Sequence, residues 1–174
     1  MVHATGGTAL CDWVPQMAAD RAKDHPNTVV IAFAGNVATC VASAWAQGGP
    51  VAAVANYETA LRAVRKAYPT ERIIVVGAIA AKDRAGWSPF VGNQQLNAMY
   101  QRVAREIGAE YSPWADWTLT PGHLYTDYRP PFPCLVPDTG KCAPVLVRTA
   151  DGVHLTPAGQ LWYGWALTYD AVRS

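Results

Sequence analysis

The run Thr28-Val29-Val30-Ile31-Ala32-Phe33-Ala34 has no polar alternation and is bounded by His25-Pro26-Asn27 before it and Gly35-Asn36 after it. Such a continuous apolar stretch predicts a strand covered on both faces, and strands of that kind belong to parallel sheets flanked by helices. Upstream, Leu10 to Asp24 reads as a helix, with Pro15 opposing its first turn. Downstream of Pro50, residues Val54, Tyr57, Leu61, Val64 and Tyr68 recur at helical spacing, and Arg72 to Ile79 is a second buried strand. Leu96, Met99, Tyr100, Val103 and Ile107 mark another helix that ends at Gly108, and Ala109 to Ser112 is a short strand. Thr156-Pro157 supplies an N-cap and a first-turn proline for a last helix over Pro157 to Val172. The alternation predicts a doubly wound α/β domain spanning residues 1–174, interrupted by a long irregular loop at about 113–149 that is rich in Pro, Gly and aromatics.

Composition narrows the functional classes. Fourteen basic and thirteen acidic residues leave a formal charge of +1. No segment interleaves Lys and Arg with aromatics, so nucleic acid and anionic membrane are not expected partners. The longest apolar run, Ile73 to Ala81, is far short of the roughly 18 to 20 residues that cross a bilayer. Met1 to Gly7 has neither the basic nor the apolar region of a secretory signal, which predicts either a cytoplasmic protein or one preceded by a further segment.

Four cysteines without a C-x-x-C pair, and His3, His25 and His123 without an H-x-x-x-H spacing, argue against a metal site. Cys134 and Cys142 bracket a loop short enough to be closed by one disulfide. Cys11 and Cys40 are then the remaining pair, and bridging them requires a helix start and a strand exit to lie close together. The alternative is buried free thiols.

Asp151-Gly152-Val153-His154-Leu155-Thr156-Pro157-Ala158-Gly159 sets a carboxylate three residues before an imidazole at the mouth of the last helix. Asp151 can hold one ring nitrogen of His154 so that the other accepts a proton, which is two thirds of a catalytic triad. The bland alternative is a turn with a structural histidine. Ligands of open α/β sheets bind at the carboxyl ends of strands, where Gly35-Asn36 falls. There Asn36 can aim its side-chain amide at a developing oxyanion, with Gly35 allowing close approach of substrate, unless the pair is an ordinary turn. Ser43, Ser88, Ser112 and Ser174 are the four serines, and none sits in Gly-Asp-Ser or G-x-S-x-G. Cys11 and Cys40 lack a neighbouring positive group that would make either a thiolate nucleophile. In the long loop, Trp114, Trp117 and Tyr125, with Tyr128 and Phe132, form either a substrate-side wall or a cover over a sheet edge.

Taken in order, Thr5-Gly6-Gly7-Thr8, Gly35-Asn36 and Asp151-x-x-His154 resemble blocks II, III and V of the SGNH (GDSL-type) hydrolase superfamily. The Cys11-Asp12-Trp13 helix start and the Asp151 to Gly159 run are similar to actinobacterial SGNH domains, some of which are fused to membrane acyltransferases. The resemblance implies a flavodoxin-like three-layer α/β/α sandwich with a central parallel sheet, and ester or acyl-transfer chemistry without a metal or organic cofactor. It makes His154 the general base, Asp151 its orienting carboxylate, and Asn36 an oxyanion donor through its side chain. Gly6, with Gly7 as the alternative, becomes an oxyanion donor through its backbone N–H.

Two departures follow. The family continues its third block with Asp, where this chain has Val37. The family also carries its nucleophile in a Gly-Asp-Ser block on a first strand upstream of block II, and the chain begins almost at block II. The expectation is a fold lacking its first strand and its serine, prone to pair or exchange strands with another chain. Two functions then compete. One is an exported or cell-envelope ester hydrolase or acyl-transferring domain acting on an acylated glycan or small ester. The other is an inactive module that binds an acylated glycan or a partner.

Overall fold

The computed structural model describes residues 8–36, 39–82, 88–129 and 143–172. Its main sheet is parallel, with strands β1 (Thr28–Ile31), β2 (Arg72–Val76) and β3 (Glu110–Ser112) in that order. Val29 faces Ile73, Val30 faces Ile74, and Ile74 in turn faces Glu110. β1 and β3 are therefore the outer strands of this sheet among the described residues.

β2 is largely buried and β1 is half-buried apart from Ile31, and both are shorter than the apolar runs that encode them, because their exits are captured by side chains. Beyond β1, the Phe33 carbonyl accepts the Tyr100 hydroxyl at 3.0 Å. Beyond β2, Ala78 donates its N–H to the Asn97 amide oxygen at 2.7 Å, and its carbonyl accepts the Asn97 N–H at 3.0 Å. Hydrogen bonds that would have extended the ladder are spent on helix side chains, so the chain turns away.

Alternation along β2 builds the layers. Ile73 and Val75 are buried in one core against Leu61, Val64, Tyr100 and Val103, while Ile74 and Val76 are buried in a second core with Ala115 and Ala166. Helices thus cover both faces, an α/β/α arrangement that accounts for the lack of polar alternation in the sequence. The first layer contains α3 (Thr39–Ala67) and α4 (Asn93–Glu106), and the second contains α5 (Trp114–Leu119) and α6 (Pro157–Val172).

Three elements differ from the sequence expectation. The helix expected over Leu10 to Asp24 is divided into α1 (Leu10–Trp13), a 3-10 turn at Val14–Gln16, and α2 (Met17–Asp24). Pro15 lies inside that turn, where its missing N–H and fixed φ disfavour a continuous α-helix. α3 begins at Thr39, well before Pro50, and is broken at Gly48 and Gly49, whose backbone is non-helical. The stretch 113–149 is not irregular throughout: it holds α5, a 3-10 turn at Pro121–His123, and an antiparallel pair of β4 (Tyr128–Arg129) with β5 (Val145–Leu146).

Cys11 and Cys40 form a disulfide with Cα atoms 5.9 Å apart, which overturns the free-thiol alternative for both and removes them as nucleophiles. Cys134 and Cys142 lie outside the described residues, as do Gly6, Gly7 and Phe132. No helix among the described residues is long and apolar enough to cross a membrane.

Candidate active site

The Asp151–His154 segment is a tight loop closed by its own hydrogen bonds. Arg148 and Leu155 form an antiparallel bridge, and the Thr149 N–H donates to the His154 carbonyl at 2.9 Å. Gly152 makes the reversal with φ of 68°, and its N–H donates to the Thr149 carbonyl at 2.9 Å. Within this turn the Asp151 carboxylate is the hub. Its Oδ1 accepts the Thr149 hydroxyl at 2.6 Å and the N–H groups of Val153 and His154 at 2.8 and 3.0 Å. Its Oδ2 lies 2.6 Å from His154 Nδ1. The Thr149 hydroxyl first, then the His154 ring and the two backbone N–H groups, hold the Asp151 carboxyl well below the usual carboxylate range.

Asp151 is thereby a fixed anion whose second oxygen selects the Nδ1–H tautomer of His154 and leaves Nε2 free to accept a proton. The imidazole is 76 % exposed, and Asp151 is its only hydrogen-bond partner among the described residues. Nε2 is therefore accessible to a nucleophile and substrate from the solvent side.

The loop is moored to the carboxyl edge of the sheet. Lys82, six residues past the end of β2, donates its N–H to the Gly152 carbonyl at 3.0 Å. A Cβ on Gly152 would come within 2.4 Å of the Lys82 Cβ, so this approach also requires glycine. On the other side, Thr156 caps α6: its Oγ1 accepts the Gly159 N–H at 3.3 Å and donates to the Leu146 carbonyl at 2.6 Å. Gly159 lets the first turn of α6 lie directly on the backbone, since a Cβ there would sit 2.2 Å from the Val147 carbonyl oxygen.

Asn36 follows β1 at the same carboxyl edge, because neighbouring parallel strands exit together. Its Nδ2 donates to the Thr8 carbonyl at 3.4 Å, and its own carbonyl accepts the Tyr57 hydroxyl. The segment that follows Gly6-Gly7 is thus brought against Asn36, although Gly6 and Gly7 themselves are outside the described residues. Gly35 does not open space for substrate as the sequence suggested. Its φ is 80°, and a Cβ there would lie 2.9 Å from Leu96 Cδ2 and 3.1 Å from Phe90 Cδ2. The glycine lets helix α4 and Phe90 pack beneath the loop that carries Asn36.

The three aromatic candidates separate. Tyr125 lies against the Asp151–His154 loop: a Cβ on Gly152 would meet its hydroxyl at 3.1 Å, and that hydroxyl is hydrogen bonded to Asp127. Burial, then the Asp127 hydrogen bond and charge, push the Tyr125 phenol up to about 12. Trp114 packs edge-on against Trp117 and against Tyr169 of α6, with ring centroids 5.5 and 5.4 Å apart. Trp114 joins α5 to α6, while Trp117 packs on Trp114 and is exposed.

Several supporting residues carried no signal that motif reading could detect. Asp116 is fully buried on α5 and accepts from Asn93 Nδ2 at 2.7 Å, Asn97 Nδ2 at 3.0 Å and the Thr120 hydroxyl. Since Asn97 also holds Ala78 and Thr120 accepts the Ala80 N–H at 3.4 Å, this network fixes the exit of β2. Arg148, immediately before the loop, is fully buried as well.

A carboxylate-bound imidazole at the carboxyl edge of a parallel sheet is the arrangement used by hydrolases with a nucleophile–histidine–carboxylate triad. Residues 2–162 match the model of the GDSL-like lipase/acylhydrolase family, and the chain belongs to that family. No curated protein and no solved structure matches it. Membership bears out the SGNH/GDSL resemblance, and with it the mixed α/β fold and the general class of ester hydrolase.

Proposed function

We propose that the protein is an ester hydrolase or acyl-transferring domain that acts on an O-acyl ester, an acylated glycan or a small ester, by serine–histidine–aspartate chemistry. The observation that carries this is the 2.6 Å contact between Asp151 Oδ2 and His154 Nδ1 within a loop held at the carboxyl edge of the sheet. His154 Nε2 takes the proton of the attacking hydroxyl and returns it to the leaving alkoxide, while Asp151 stabilises the imidazolium formed between those steps. Asn36 Nδ2 donates to the oxyanion in place of its long contact with Thr8, joined by the backbone N–H of Gly6; one such donor is worth about 3 kcal/mol of barrier.

The nucleophile in this reading is a serine that reaches Nε2 from outside the described residues. Ser43 accepts from Gln47 on α3, Ser88 accepts the Phe90 N–H, and Ser112 accepts the Trp114 N–H; none is bonded to His154. An extracellular or cell-envelope location is supported by the Cys11–Cys40 disulfide, since such bonds persist in oxidising compartments.

The test combines a fluorophosphonate probe with p-nitrophenyl acetate hydrolysis, on this chain and on versions carrying its native flanking sequence. Serine labelling that tracks with hydrolysis and is lost in His154→Ala is the expected result. Absence of both labelling and turnover in every version, with an acylated oligosaccharide still bound, overturns the hydrolase in favour of an inactive binding module.

A further inference from the structure

Arg148 is a guanidinium with no exposed surface and, among the described residues, no carboxylate ion pair. Instead, its Nη2 donates to the Ala80 carbonyl at 2.6 Å and its Nη1 to the Val153 carbonyl at 3.1 Å. Its Cζ stands 5.8 Å from the centre of the Tyr125 ring, and its Nε has no hydrogen-bond partner among the described residues. Burying a cation is costly, and this one is compensated by two carbonyl dipoles, an aromatic face and the nearby charges of Asp127 and Asp151.

The two carbonyls come from different parts of the chain. Ala80 lies in the exit of β2, which Asn97, Asp116 and Thr120 hold from α4 and α5. Val153 lies between Asp151 and His154. By contrast, every contact of the Asp151 carboxylate described here stays within residues 149–154. The dyad is therefore complete without Arg148, and what the guanidinium adds is the position of the dyad relative to the sheet.

We propose that Arg148 is the positioning residue of the His154 base, a two-pronged strut that fixes where the Asp151–His154 loop stands along the carboxyl edge of the sheet. The proposal rests on the hydrolase function assigned to this site. Its chemistry requires the planar fork of arginine: lysine supplies a point charge and cannot hold two carbonyls in one fixed geometry. Misplacing a general base by about 1 Å costs on the order of 100-fold in rate, even where the base itself is intact.

Arg148→Lys and Arg148→Gln test this in the full chain with three readouts. The first is amide hydrogen exchange at Lys82, which donates to the Gly152 carbonyl, compared with core amides at Val75 and Val103. Exchange at Lys82 is expected to accelerate at least tenfold in both variants while the core amides stay protected. The second is the downfield Nδ1–H proton of His154, which is expected to persist because the bond to Asp151 is local. The third is p-nitrophenyl acetate kinetics, where kcat is expected to fall at least tenfold with KM within twofold of the unsubstituted protein.

Unchanged Lys82 exchange in a folded variant overturns the strut. So does loss of core protection in both variants, which would make Arg148 a residue of global folding, and so does an unchanged kcat in an active protein. If the unsubstituted protein neither turns over ester nor takes the fluorophosphonate, the hydrolase assignment fails and the role as a catalytic positioning residue fails with it. Lys82 exchange then still reports separately whether the strut exists.

Discussion

Removing the Cys11–Cys40 disulfide tests how the Thr8 and Asn36 segments are held together. Cys11 lies in α1, three residues beyond Thr8, and Cys40 lies near the start of α3, four residues beyond Asn36. The bridge therefore ties together the two segments that meet in the contact between Asn36 Nδ2 and the Thr8 carbonyl. With a sequence separation of 29, the chain-entropy picture assigns the cross-link about 3.5 kcal/mol of stability, drawn from the unfolded ensemble. For a chain of this size that corresponds to a fall in Tm of roughly 10 °C. The contact at 3.4 Å is too long to hold the segments together by itself, so α1 should also loosen against α3. The assay is thermal unfolding followed by circular dichroism for the Cys11→Ala/Cys40→Ala protein and for the unsubstituted chain, each with and without reductant. Reductant should lower Tm further in the unsubstituted chain than in the double variant, where only Cys134 and Cys142 remain to respond. A loss below about 1 kcal/mol, or an equal response of both proteins to reductant, refutes the assignment of this bridge as the constraint on α1 and α3.

Gly159→Ala places a methyl 2.2 Å from the Val147 carbonyl oxygen, a backbone atom that cannot swing aside, and should cost about 2 kcal/mol in urea denaturation; a loss under about 0.5 kcal/mol would mean that α6 simply shifts. Asp116→Ala leaves the amides of Asn93 and Asn97 without their shared acceptor, while the Thr120 hydroxyl keeps the backbone carbonyl of residue 116 at 2.9 Å. At about 1–3 kcal/mol for each stranded group, the expected loss is about 2 kcal/mol or more, and a near-neutral result would show that these groups find other partners. Because the folded Asp151 carboxyl titrates lower than an unfolded one, its contribution to stability is present above the unfolded value of about 3.9 and is lost as pH falls through the lower folded value. The urea midpoint of Asp151→Asn should therefore lie below that of the unsubstituted protein at pH 7, with the gap narrowing as the pH is brought well below 4. A gap that stays constant with pH would refute the ionised hub.

What the sequence made legible is local. The last helix runs over Pro157–Val172 as its Thr-Pro start announced, because capping and proline geometry act within one turn. The two apolar runs located the buried strands, yet not their ends, because termination depends on Tyr100 and Asn97, side chains far away in the chain that no periodicity connects to Phe33 or Ala78. Gly48-Gly49-Pro50 reads as a break and is one, since both glycines are non-helical; what went unread is the helical stretch before it, from Thr39, which buries Val41 in the same layer as Tyr57, Leu61 and Val64 after the kink. Gly35 was misread for a related reason. Its small size serves Phe90 and Leu96 beneath the loop, and sequence cannot distinguish room for a ligand from room for a core side chain.

The same division between local and distant contacts governs what the dyad means. Asp151 and His154 are three residues apart, and every bond made within their loop, from Thr149 to His154, spans at most five residues. A segment with this sequence would form that pair in many surroundings, so the pairing alone does not distinguish a general base from a well-made turn. The distinguishing contacts are long-range: Arg148 reaches Ala80 across 68 positions, and Asn36 reaches Thr8 across 28. These contacts set the imidazole and the Asn36 amide at one edge of the sheet, which the local bonds of the turn alone do not do. The contacts that hold the dyad in place therefore separate the two readings better than the dyad's own bonds do, and perturbing Arg148 or the Cys11–Cys40 bridge is a sharper test of the site than perturbing the local bonds of Asp151.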